Sequence, residues 1–125
     1  MDTHALLWWL ADDPALPSQA RKLIRARSNN IFVSAASAWE IATKSRIGKL
    51  PQAADLALRF DAVLAAELFE SLPITSAHAA RAGLLPGPHN DPFDRMLIAQ
   101  SQAENLPILS NDSIFDTYKL RRLWD

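Results

Sequence analysis

Cysteine is absent from this 125-residue chain, which rules out disulfides and thiolate metal sites. The absence fits a reducing compartment. Glycine occurs only three times, too seldom for a Gly-rich phosphate-cradling loop. No GxSxG nucleophile elbow and no HExxH zinc motif occur. His4, His78 and His89 lack metal-ligand spacing, and the N-terminus reads DTH rather than the DxD of a phosphatase. Charge of one sign is also lacking: 13 basic against 14 acidic side chains leave a formal charge of −1. That excludes coating nucleic acid by charge alone and leaves room for a local basic patch. No apolar run approaches the ~20 residues that a bilayer requires. The opening ALLWWLA is short and lacks the basic start of a signal peptide. A soluble, cytoplasmic protein without a membrane partner is expected.

What is present is a core. Hydrophobic residues make up 49% of the chain, and no repeat, linker or low-complexity segment interrupts it. One domain over residues 1–125 is the expectation. THALLWWLADD predicts a short helix ending before Pro14, and PSQARKLIRARSNN a second with Ser18 as its cap. NIFVS is a buried strand by its apolar, branched and aromatic content. SAASAWEIATKSRIGKL follows as a helix ending near Gly48. Residues 52–69 predict one longer amphipathic helix. ESLPITS is a second strand, then SAHAARAGLL a helix closed by PGPH. DPFDRMLIAQSQAENL is a further helix, LPILS a third strand, NDSIFDTY a turn or short helix, and RRLW a last strand. Apolar strands alternating with helices imply an α/β fold with a parallel sheet covered on both faces. Ligands in such sheets bind beyond the carboxyl ends of the strands.

Five acids fall near those ends, and each also has a local explanation. In DPFD, Pro92 suits the first helical position, which makes Asp91 the N-cap and Asp94 the third helical residue. Both serve orphan N–H groups and the helix dipole. Asp94, however, precedes the apolar run MLIA, where a buried carboxylate needs a cation or several donors. Asp112 follows LPILS in the run SND and suits the cap of SIFDTY. Asp2 suits a cap or a frayed terminus, with Thr3 and His4 beside it. Glu40 stands four residues before Lys44, the spacing of a surface ion pair, yet Trp39 and Ile41 flank it. Taken together, Asp2, Glu40, Asp94 and Asp112 bring four carboxylates from four elements to one sheet edge. Carboxylates without histidine or cysteine suit Mg²⁺ or Mn²⁺. Such ions activate water and stabilise the leaving oxygen of a phosphodiester.

DTHALLWWL, SAASAWEIATKSRIGKL, DPFDRMLIAQ and LSND, in that order along nearly the whole chain, resemble a PIN domain of the VapC toxin type. The resemblance implies a three-layer α/β fold and a Mg²⁺- or Mn²⁺-dependent ribonuclease. It implies a cognate antitoxin that blocks the site, and a homodimer. By motif it maps the acidic site to Asp2, Glu40, Asp94 and Asp112. Thr3 and Ser110 fall at supporting polar positions, and Asp91 becomes a secondary member or cap. In such families a few apolar residues usually precede the first acid and form the central strand. Here Asp2 follows Met1 directly, so the first strand is expected to be truncated, or the start to lie upstream. A sheet without its middle strand would leave unpaired edges and a loosely held Asp2.

The mechanism implied is in-line attack of a metal-bound water on RNA, with Lys44, Arg46, Lys49 and Arg95 as candidate phosphate contacts. Their alternative is a solvated face, or for Arg95 neutralisation of Asp91 or Asp94. Trp8, Trp9, Trp39 and Trp124 suit the core, or one of them a groove for an antitoxin. Two other readings stay open: a non-catalytic binding module with the acids as caps, and a metal-dependent DNA nuclease.

Overall fold

The computed structural model describes residues 1–125. Its elements run in the order α1 (Thr3–Leu10), α2 (Ser18–Arg25), β1 (Phe32–Ser34), α3 (Ala35–Arg46), α4 (Ala54–Leu58), α5 (Phe60–Ala66), β2 (Glu70–Leu72), α6 (Ser76–Leu84), α7 (Pro92–Glu104) and β3 (Ile108–Leu109). A 3₁₀ helix (Ser113–Tyr118) and β4 (Arg122–Leu123) complete the chain. The α/β expectation holds, and every strand pair is parallel.

The strands pair as two ribbons. In one, Val33 of β1 stands opposite Ser71 of β2. In the other, Leu109 of β3 stands opposite Leu123 of β4. No strand lies between β1 and β3. The chain's first two residues bridge them instead: the Met1 ammonium donates to the Phe32 carbonyl at 2.8 Å, and the Asp2 N–H donates to the Leu109 carbonyl at 3.0 Å. Between the ribbons runs a groove of about 360 Å³ whose walls include Met1, Ile31, Phe32, Leu97 and Leu109. The expectation of a loosely held Asp2 is not met. Asp2 is buried and fixed by backbone and side chain alike.

Successive side chains of a strand point to opposite faces, and the core divides accordingly. Leu109 joins Ala5 and Leu6 of α1, Ile24 of α2 and Leu64 of α5. Ile108, its neighbour, joins Ala82 of α6, Leu97 and Ile98 of α7 and Phe115. Helices therefore cover both faces, giving three layers. No helix is long and apolar enough to cross a membrane.

Two helix expectations need correction. Residues 52–69 do not form one helix. The chain breaks at Arg59 between α4 and α5, without proline or glycine. The break lets α4 lie against α3 while α5 turns toward β2 and buries Phe60 and Leu64. Ser18 is not the cap of α2 but its first helical residue; Pro17 stands at the cap position and supplies no side-chain bond. Pro17's fixed φ, here −70° with ψ 161°, sets the entry instead.

Candidate active site

Asp2 caps α1. Its Oδ1 accepts from the Ala5 N–H at 2.9 Å, and its Oδ2 accepts from the Ser110 hydroxyl at 2.5 Å. Ser110 sits just past β3, fully buried, and its Oγ also accepts from the Asp112 N–H at 2.9 Å. One hydroxyl thereby ties the first acid to the last. Burial pushes the Asp2 carboxyl above its usual range, and the bonds from Ser110 and Ala5 hold it back in part. Asp112 is exposed and caps the 3₁₀ helix through the Ile114 N–H at 3.0 Å. Thr3 is buried, and its hydroxyl donates to Ser37 Oγ at 2.9 Å. Ser37 lies on α3 one turn before Glu40, so Thr3 joins the α1 end of the site to the α3 side.

Glu40 is not a surface residue, although it makes the ion pair its spacing predicts. It is buried, with Lys44 Nζ 2.5 Å from its carboxylate. A carboxylate there needs such a counter-charge. Asp91 caps α7 as predicted, accepting from the Phe93 N–H at 2.9 Å and the Asp94 N–H at 3.1 Å. Pro92 occupies the first helical position. Asp94 then points to His89, whose Nε2 lies 2.8 Å from its Oδ2. Burial raises the Asp94 carboxyl above its usual range, and the charges of Asp91 and Glu40 push it further. The His89 hydrogen bond opposes them. The effect of Glu40 puts the α3 and α7 acids within electrostatic reach of each other.

Arg95 neutralises neither Asp91 nor Asp94, contrary to one expectation, and it is not free for phosphate. Its guanidinium donates to the carbonyls of Ala82, Leu85 and His89 at 3.1, 2.6 and 2.9 Å. It staples the α6–α7 connection, and so holds His89 where the imidazole meets Asp94. His89 and Ser37 were missed by sequence reasoning, which set the histidines aside for want of ligand spacing. A histidine two residues ahead of a capping aspartate, in a loop leading into a site helix, was the available signal for His89.

The acids form two groups: Asp2 with Ser110 and Asp112, and Glu40 with Asp94 and Asp91. No three carboxylate or imidazole groups converge as a ready-made cation cage. The donor set is nevertheless all oxygen, which fits a hard divalent cation. Asp94, raised by burial and further by the charges of Asp91 and Glu40, is the group such a cation would relieve most directly.

No curated protein matches the chain. The PIN domain matches residues 1–120, so the chain belongs to the PIN domain family, whose members are in general metal-dependent nucleases.

Proposed function

We propose that this protein is an endoribonuclease dependent on Mg²⁺ or Mn²⁺, the toxin of a toxin–antitoxin pair, acting in the cytoplasm and neutralised by a cognate antitoxin. The observation that carries the reading is Asp94: a half-buried carboxylate, its pKa raised, beside the charges of Glu40 and Asp91. Such a carboxylate is poised to exchange its imidazole partner for a divalent ion. Asp94 and Glu40 would hold the ion together with Asp2 and Asp112, while Thr3, Ser110 and Asp91 keep those acids in place. When bound, the ion supplies a water activated at neutral pH and positive charge against the phosphodiester. The chain's own residues orient and exclude. Ser110 fixes the rotamer of Asp2, Lys44 balances Glu40, and Arg95 holds the loop that brings His89 to Asp94. A homodimer fits the exposed Leu58, at the end of α4, and Leu68, just beyond α5, apolar groups that a second copy would cover.

One observation favours a second reading, a binding module that kept the fold without the activity. Each acid is already satisfied locally, by Ser110 and Ala5, by Lys44, by His89, or by a cap.

The test is cleavage of RNA and of DNA by the purified chain with Mn²⁺ or Mg²⁺, beside Asp94→Asn. RNA cleavage that requires metal and falls at least ~100-fold in the folded variant supports the nuclease. Preferential cleavage of DNA replaces the substrate class. Equal activity in both proteins removes Asp94 from the site, and inactivity of both with intact folding favours the binding module.

A further inference from the structure

Trp39 is 52% exposed, unlike Trp124, which is buried. It is nonetheless held: its ring meets Phe93 edge to face, centroids 4.6 Å apart at 73°. The pair sits at the candidate site by sequence neighbourhood on both helices. Trp39 directly precedes Glu40 on α3, and Phe93 directly precedes Asp94 on α7. The two helices pack against each other. An aromatic ring braced by a neighbour and still wet has less rotamer entropy left to lose on binding. It offers uncovered π surface to a flat partner.

The charges nearby select the partner. Residues seven apart on a helix lie on one face, so Arg46 shares the Trp39 face two turns on. Lys49 follows in the turn after Gly48, whose φ of 84° reverses the chain. Arg46 and Lys49 are both exposed, and neither makes an ion pair or side-chain hydrogen bond. Lys44, by contrast, is spent on Glu40. An immobilised aromatic followed by two free cations is the composition that grips single-stranded nucleic acid: stacking for the base, positive charge for the backbone. A partner helix would call for a continuous apolar stripe; this face does carry the exposed Ile47 at its end, but between Trp39 and Ile47 it presents Ala42, Thr43 and Arg46.

We propose that Trp39, braced by Phe93, is the stacking platform for one unpaired base of the RNA, with Arg46 and Lys49 receiving the adjoining phosphates. The assignment rests on the ribonuclease reading for its substrate class, but its test does not depend on cleavage. It predicts a preference for single strands, because a paired base cannot present its face to Trp39.

The test is binding without turnover. The full chain is titrated with a labelled oligouridylate and with the same strand annealed to its complement, in chelator. The variants are Trp39→Ala, Trp39→Phe and Arg46→Ala, each with its unfolding midpoint. Stacking of one base predicts that Trp39→Ala weakens single-strand binding roughly 5- to 100-fold, and that Trp39→Phe restores most of it. Arg46→Ala should weaken binding and reduce the salt slope by about one contact. Duplex binding should be weaker and indifferent to Trp39. Unchanged single-strand affinity in folded Trp39→Ala overturns the platform and leaves the ring to a protein partner. An equal loss on the duplex overturns it too. A nuclease that cleaves normally while Trp39→Ala binds normally rejects the platform alone. Trp39-dependent binding without any metal-dependent cleavage keeps the platform and rejects the nuclease.

Discussion

Ser110 donates its hydroxyl to Asp2 over 2.5 Å, joining the chain's second residue to one 108 positions away. The same oxygen accepts the Asp112 N–H, so three polar residues at two chain ends share one buried hydroxyl. Ser110→Ala leaves Asp2 with one protein donor in a buried place. A destabilisation of about 1 to 3 kcal/mol is expected in urea unfolding. The sign of its pH dependence follows from the linkage. The Asp2 carboxyl is already raised by burial, and losing Ser110 raises it further. A raised carboxyl favours the folded state only while protonated, and that contribution is lost as pH rises through the folded pKa. The variant's deficit should therefore be larger at neutral pH than in acid. A deficit that does not change with pH would place Ser110's role in packing alone.

His89 gives the second prediction. Its hydrogen bond is the main force opposing the upward shift of Asp94. In His89→Ala, Asp94 should titrate at higher pH, read by carboxyl carbon NMR. If the nuclease reading holds, the acid limb of the pH–rate profile should move up with it. An Asp94 titration identical to the parent's would show that the imidazole contact has no electrostatic weight.

Arg95 separates charge from geometry. Its planar fork reaches three carbonyls, which an ammonium cannot reproduce. Arg95→Lys keeps the charge and should still cost about 2 to 4 kcal/mol of stability. It should also raise amide exchange in residues 85–91. A lysine variant as stable as the parent would mean that the carbonyl contacts are not what holds the connection.

These residues also mark how far the sequence could be read. Proline after an aspartate and ahead of an apolar run placed the start of α7 to the residue, because that capping logic is local. The same locality recovered the parallel strands and the Glu40–Lys44 pair. Burial of Glu40 was not local; it depends on α3 facing α7. The tight hold on Asp2 depends on Ser110, at the other end of the chain. Arg95 looked like a phosphate contact because nothing in DPFDR reveals that the α6–α7 loop returns its carbonyls to that side chain. The break at Arg59 carries no proline or glycine signal, and arises from the different supports of α4 and α5.

The groove between the two ribbons supplies the last prediction. In the 125-residue chain the Met1 ammonium is partly buried against the Phe32 carbonyl, and burial lowers its pKa from 8.0 to about 6, with the Asp2 charge pulling the other way. A depressed amine favours the folded state only while neutral. Its contribution is present above the unfolded pKa and disappears as pH falls through the folded one. That amounts to a loss of about 2 to 3 kcal/mol between pH 8 and pH 6. Fusing a short extended segment of alternating valine and isoleucine ahead of Met1 changes both terms. The ammonium becomes an amide that still donates to Phe32, and the added strand lies against the apolar walls of the groove, between β1 and β3. The fusion should raise the unfolding temperature and flatten the stability profile over that pH window. A polar segment of equal length separates the causes. It also removes the amine, so it should flatten the profile, but it should not give the gain that comes from burying apolar surface. If both segments stabilise equally, the buried charge alone accounts for the effect, and the groove is not a seat for a strand.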